Sequence, residues 1–303
     1  MTPDLVLLGN LLVDDLVFPD GGTRMRQAGG AILYVSAAAS LWGARVGCVS
    51  LRGDDYPAAA LDALAARGVA LDGIVPLGGP GVRTWLLYEG RVRRVVHRLG
   101  CPTHEQVSPT SASVPPAWRQ ARAFHLAPMP IAVQGELVRS LGAAGSFVSV
   151  DPHEPVTEES LERWRGILAH ADAFFPSEDE LRLENAQDDP LGAIKRLVGG
   201  RLRFVFFKRG AGGGLLYDAR EDRAHEWTGI HDGVVDPTGA GDSFAAGFLT
   251  AFLAGKPVGQ CLQYAVVTAS FAIQAWGPEA LFEATRDGAE ARHRSWFAKE
   301  STA

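Results

Sequence analysis

The sequence predicts an α/β fold built on a mostly parallel sheet, and three observations carry that prediction. Short apolar runs recur along the chain and alternate with helical segments, the rhythm of strand–helix–strand crossovers. The first run, Leu5 to Leu8, is apolar at every position and stops at Gly9-Asn10, as a strand buried on both faces should. With 303 residues and 47% hydrophobic content, the chain can bury a large core. Length alone suggests two domains, but single sheets of this class reach the same size.

The elements follow in order. Asp14-Asp15-Leu16-Val17-Phe18 and the Pro19-Asp20-Gly21-Gly22 turn read as an extended strand and hairpin, with Asp15 facing solvent. Gly29-Gly30 opens a small-residue helix through Ala37, Ala38, Ala39 and Leu41, stopped by Gly43. Arg45 to Leu51 is a strand, and Gly53-Asp54-Asp55 leads into a helix ending near Arg67-Gly68. Residues 82–98 break the alternation: Val82 to Tyr88 and Val92 to Val96 are two strands about the Glu89-Gly90 turn. Together with residues 12–28 they predict a small sheet apart from the main one, a candidate lid. Strands then recur at 123–126, 147–150, 173–175, 204–207 and 215–217. Helices are expected near 131–142, 158–169, 178–185 and 190–198, then at 257–276 and 286–299. No repeat, low-complexity tract or linker interrupts residues 1–303, which predicts one domain with a lid of about 12–28 and 82–100 inserted in its core.

Composition narrows the function. A net charge of −6 offers no overall basic field for nucleic acid. Cys48, Cys101 and Cys261 are too scattered for a disulfide framework or a Cys-x-x-Cys metal site, so inert thiols in a reducing cytosol are expected. Met-Thr-Pro-Asp before the first strand is no signal peptide, and no apolar run reaches membrane-spanning length, which predicts a cytoplasmic protein without a membrane partner. His97, His125 and His153 show no metal-ligand spacing and read as structural.

One stretch carries chemistry: Asp236-Pro237-Thr238-Gly239-Ala240-Gly241-Asp242-Ser243-Phe244, leading into a small-residue helix. The amides opening a helix lack intrahelical partners and sit at its positive end, so glycines there make an anion cradle. Asp242 fits two readings, a favourable first-turn cap or a base beside the cradle. No Gly-x4-Gly-Lys-[Ser/Thr] loop occurs anywhere in the chain.

This stretch, with Ala246-Gly247 after it, resembles the C-terminal signature of the ribokinase/PfkB family of carbohydrate kinases, with Pro237 where the family usually has Thr. The resemblance implies a ribokinase-like three-layer α/β/α sandwich with a small β-sheet lid. It implies Gly239, Ala240 and Gly241 as the anion hole and Asp242 as catalytic base. Gly29 and Gly30 resemble the N-terminal, sugar-binding signature, with Tyr34 about where a family Asn belongs. Asn10 and Asp14 resemble positions that bind substrate hydroxyls. Lys208, Gly210 and Gly213 resemble an ATP-side loop, although a plain tight turn fits that stretch too. Glu180 resembles the magnesium-shell Glu, with Ser177 in place of Asn; Ser177 and Glu180 also satisfy a helix capping box. Asp151 resembles an acidic position near the metal, and Asp236 and Thr238 a monovalent-cation loop. Arg24, Arg26, Arg93, Arg94 and Arg98 on the lid are a solvated face, or a phosphate clamp over the acceptor if two converge.

The expected activity is ATP- and Mg²⁺-dependent phosphorylation of a hydroxyl on a small sugar or polyol, with K⁺ activation and a homodimer through the lid as further expectations. The alternatives are a nucleoside or inositol-type acceptor, or a catalytically degenerate sugar-binding relative.

Overall fold

A computed structural model describes residues 2–89, 92–229 and 233–297; the side chains of Val92 and Arg93 and the turn residue Gly90 lie outside the description. Nine strands form the main sheet, in the spatial order 223–227, 214–218, 204–208, 173–174, 147–150, 123–126, 5–8, 46–52 and 70–76. From 204–208 to 70–76 all neighbours are parallel, and the two strands at the other edge run antiparallel.

Side-chain alternation along Leu5–Leu8 shows why helices cover both faces. Leu5 and Leu7 pack with the helices Ala31–Ser40, Ala240–Leu253 and Val258–Ala272. Val6 and Leu8 pack on the opposite side with Ile131–Gly142, Leu161–Leu168 and Pro190–Lys195. The result is three layers, with Asn10, Asp151 and Lys208 at the carboxyl ends of parallel strands or just beyond them, where open α/β sheets gather ligands.

The second sheet has four strands in the order Thr23–Gly29, Leu12–Val17, Val82–Glu89 and Val92–His97. Here the sequence reading of Asp15 is corrected. Asp15 is fully buried, bonded by Arg83 at 2.7 and 2.8 Å and by the Arg26 amide at 2.8 Å, with Arg98 3.9 Å away. The register slips between Asp14 and Leu16, and Arg26 takes a φ of 56°, so the irregularity turns Asp15 inward onto arginines.

The helix expected over 178–185 is also corrected. Residues 177–180 form a turn, and Leu181–Arg182 pairs as a short parallel strand with Val156–Thr157. Of the capping box only the Ser177 amide to Glu180 carboxylate bond forms, and the Glu180 carbonyl accepts from the Val156 amide at 2.7 Å and draws the chain into a strand.

Candidate active site

Residues 234–239 lead into the helix Ala240–Leu253. Asp236, 2% exposed, accepts the Thr238 amide at 3.0 Å, and the Pro237 carbonyl accepts from the Ala240 amide at 3.2 Å. Gly239 then takes the left-handed φ of 78°, and a Cβ there would collide with the Tyr34 ring. Glycine is required at this position on both counts. Asp242 follows, half-buried in the first turn, where the positive helix end favours a carboxylate.

Lys208 closes its strand opposite this turn. Its ammonium holds both oxygens of Asp151, at 3.1 and 3.0 Å, and would stand 3.1 Å from a Cβ on Gly241. Burial pulls the Lys208 amine down, but the carboxylates of Asp151, Glu180 and Asp242 outweigh it and hold the amine above its ordinary value. For Asp151 burial pushes upward and the Lys208 ammonium pushes back. Glu180 accepts the Ser177 amide at 2.7 Å and its hydroxyl at 2.8 Å. A cation, three carboxylates and an amide-rich turn therefore share one electrostatic neighbourhood.

Two cavities flank the turn. The larger, about 320 Å³, has Asp14, Tyr34, Asp236 and Thr238 on its wall together with the aromatic rings of Tyr88 and Trp276. Of the small-sheet arginines, Arg24 and Arg26 line it, whereas Arg94 pairs with Glu89 and Arg98 leans toward Asp15. The smaller, about 180 Å³, is walled by Gly210, Gly213, Trp227, Phe244 and Val266, with Lys208 and Gly241 also on its lining. Asp242 lines neither cavity, but its charge acts on Tyr34, in the first, and on Lys208, in the second. Burial, then the carboxylates of Asp236, Asp14 and Asp242, push the Tyr34 phenol well above its ordinary value, so it stays a protonated donor.

Asp14 accepts a hydrogen bond from the Thr84 hydroxyl and stands so close to Gly29 that any side chain there would strike its carboxylate. Gly30 likewise abuts the Asn10 carbonyl. Asn10 does not line the 320 Å³ cavity; its side-chain amide, 3% exposed, meets His104 Nδ1 at 3.2 Å. The His104 ring meets His97 edge-on, at 82°, and His153 at a tilt of 38°, a grouping that no sequence spacing signals because its members come from three separate segments. Among the described residues no three His, Cys, Asp or Glu side chains converge as a metal-ligand set, and no helix is long and apolar enough to cross a membrane.

Comparison with known proteins gives a family and a fold. The family model described as pfkB family carbohydrate kinase matches residues 15–284. A cytidine kinase of Thermococcus kodakarensis is 32% identical over 279 residues, covering 90% of this chain and 97% of that protein. The structure of Arabidopsis thaliana ribokinase complexed with ribose and ATP superposes with a TM-score of 0.75 at 20% identity, covering 97% of this chain and 99% of that one. Burkholderia thailandensis nucleoside kinase in complex with inosine does so with a TM-score of 0.76 at 16% identity, covering 97% of each chain.

Proposed function

The chain belongs to the pfkB family of carbohydrate kinases, phosphotransferases acting on an alcohol group, and from that premise we propose how this site works on a sugar or nucleoside. The observation that carries the reading is the placement of the Gly239–Asp242 turn between two cavities, with the Lys208 ammonium beside Gly241. ATP occupies the smaller, apolar cavity, its purine against Trp227 and Val266 and its phosphates toward Lys208 and Gly241. The acceptor lies in the larger cavity, its hydroxyls held by Asp14 and by the Tyr34 phenol, with Gly29 and Gly30 letting the backbone approach.

Phosphoryl transfer needs positioning and charge neutralisation more than covalent chemistry. The Gly239 and Gly241 amides, with the helix dipole, hold the transferring group, while the Ala240 amide stays engaged in the turn. Asp242 accepts the acceptor's proton; Lys208 neutralises phosphate charge and in doing so shares Asp151 with it. Glu180 and Asp151 are the carboxylates that would hold Mg²⁺, since one or two carboxylates with water suffice, and the ion would supply positive charge against the phosphates. Asp236 and Thr238, side by side on the cavity wall, are where K⁺ would act. The small sheet closes as a lid and excludes water as a competing acceptor.

Asp242→Asn tests the scheme. Nucleotide should still bind, measured by calorimetry, while turnover falls at least about 10²-fold, the range of general base catalysis. Near-normal turnover in that variant removes Asp242 from the mechanism.

A further inference from the structure

The segment between the helices Val258–Ala272 and Glu279–Glu283 touches both the approach to the Gly239–Asp242 turn and the small sheet. At its start the Ile273 carbonyl accepts the Val235 and Asp236 amides, at 2.7 and 3.3 Å, and so holds the residues that lead into the turn. Arg292 fixes this start from the C-terminal helix, donating to Ser270 Oγ at 2.7 Å and to Gln274 Oε1 at 3.1 Å. Three residues after Ile273, the Trp276 ring meets two rings of the small sheet edge-on. Its centroid lies 4.6 Å from Phe18, at 66°, and 5.3 Å from Tyr88, at 85°. Phe18 follows the strand Leu12–Val17, Tyr88 lies near the end of Val82–Glu89, and the two stack at 5.7 Å. Glu279 adds an ion pair with Arg24 at 3.9 Å.

The rings, more than the charges, hold this seam. Two edge-on aromatic contacts together shift an equilibrium by about tenfold, whereas an ion pair as exposed as Arg24–Glu279 contributes little. Phe18, Tyr88 and Trp276 are half-buried, and none belongs to either apolar layer packed on the main sheet. The seam can therefore part without opening the core, as a locally opening unit does.

We propose that Trp276 is a positioning residue that couples the small sheet to the Gly239–Asp242 turn. With Phe18 and Tyr88 against its ring, residues 273–276 are held, and the Ile273 carbonyl keeps the approach to the turn in register. By linkage, an ordered turn favours the closed seam as much as the closed seam favours the ordered turn. The catalytic consequence rests on the kinase reading; the mechanical coupling does not.

Hydrogen exchange on the full chain tests the coupling without substrate. Phe18→Ala alters only the small sheet, yet it should quicken exchange of the Val235 and Asp236 amides about tenfold, as should Trp276→Ala, with Leu5–Leu8 unchanged. Trp276→Phe keeps an aromatic edge and should restore most of the protection. Unaltered exchange at Val235 and Asp236 in Phe18→Ala overturns the proposal. Kinetics use ATP with whichever of cytidine, adenosine, inosine, D-ribose and D-fructose the unaltered chain turns over fastest. Each alanine variant should lower kcat about tenfold, and the double variant should be no worse than either, because both remove one contact. Losses that multiply in the double variant, or a raised acceptor KM at unchanged kcat, which would make Trp276 an acceptor contact, also overturn it. Coupled exchange in a chain that phosphorylates none of these acceptors upholds the coupling and sinks the kinase reading instead.

Discussion

At the scale of single residues, the site depends on atoms that are absent. Gly239 carries both a left-handed φ of 78° and the Tyr34 ring against its missing side chain. Gly239→Ala should therefore strain the turn by about 1–2 kcal/mol and push Tyr34 away from it. On the proposed scheme, in which the turn holds the transferring group, a displacement on the order of 1 Å should cost about 10²-fold in kcat/KM. Steady-state kinetics and a melting curve check both parts; unchanged kinetics would show that the amides of this turn do not grip the phosphoryl group. Lys208 makes the complementary point. It is buried with Asp151, and removing the ammonium alone would leave a buried carboxylate beside Glu180 and Asp242. A Lys208→Met change should be poorly tolerated without Asp151→Asn, so the double variant should melt higher than the single one.

At the scale of elements, the small sheet is organised by a buried ion pair as much as by apolar contact. For Asp15 burial raises the carboxyl, but the forked bond from Arg83 and the Arg26 amide outweigh it and hold the group below the usual carboxylate range. Its charge thus stabilises this sheet above the ordinary carboxylate pKa, and that contribution is lost as pH falls through the lowered value. Asp15→Ala strands a largely buried guanidinium and should cost about 3 kcal/mol, the low end for a broken buried pair because Arg83 keeps some contact with water. Hydrogen exchange should read this as roughly 10²-fold faster amides in 82–89, with the main-sheet strand Leu5–Leu8 unchanged. The sequence showed Asp15 only as a polar neighbour of Asp14, since its arginines lie 11 and 68 residues away. Where a strand is buried on both faces, as at Leu5–Leu8, continuous apolarity made it legible. Ala70–Pro76 carries Asp72 and Gly73, and Arg223–Trp227 is a polar edge strand, so neither announced itself. Ser177 and Glu180 made one of the two capping-box bonds without a helix, because local capping cannot see the pairing with Val156. The Gly239–Asp242 turn was legible because its parts are contiguous; the Asn10–His104 contact spans 94 residues and was not.

At the scale of the whole molecule, the main sheet sets a buried titratable group, His125, in its middle beside Ser149. It lies mid-sheet on the strand Ala123–Leu126, fully buried, with Nδ1 bonded to Ser149 Oγ at 2.9 Å and Nε2 without a partner among the described residues. Burial, then the Lys208 charge, lowers it to about 3. An unfolded chain would protonate this imidazole near its ordinary value of about 6.5, whereas the folded chain does not until far lower pH. Between those limits the unfolded state binds one more proton, so stability falls as pH drops, by about 1.4 kcal/mol per pH unit. Taking urea melts from pH 7 to pH 5 should therefore cost about 2 kcal/mol from this residue alone. His125→Leu will carry its own packing cost at pH 7, but the slope is the diagnostic: it should flatten by about 1 kcal/mol per unit averaged over this interval. An unaltered slope would mean that the buried ring takes up its proton within the folded sheet, and that the centre of the sheet is wetter than its packing implies.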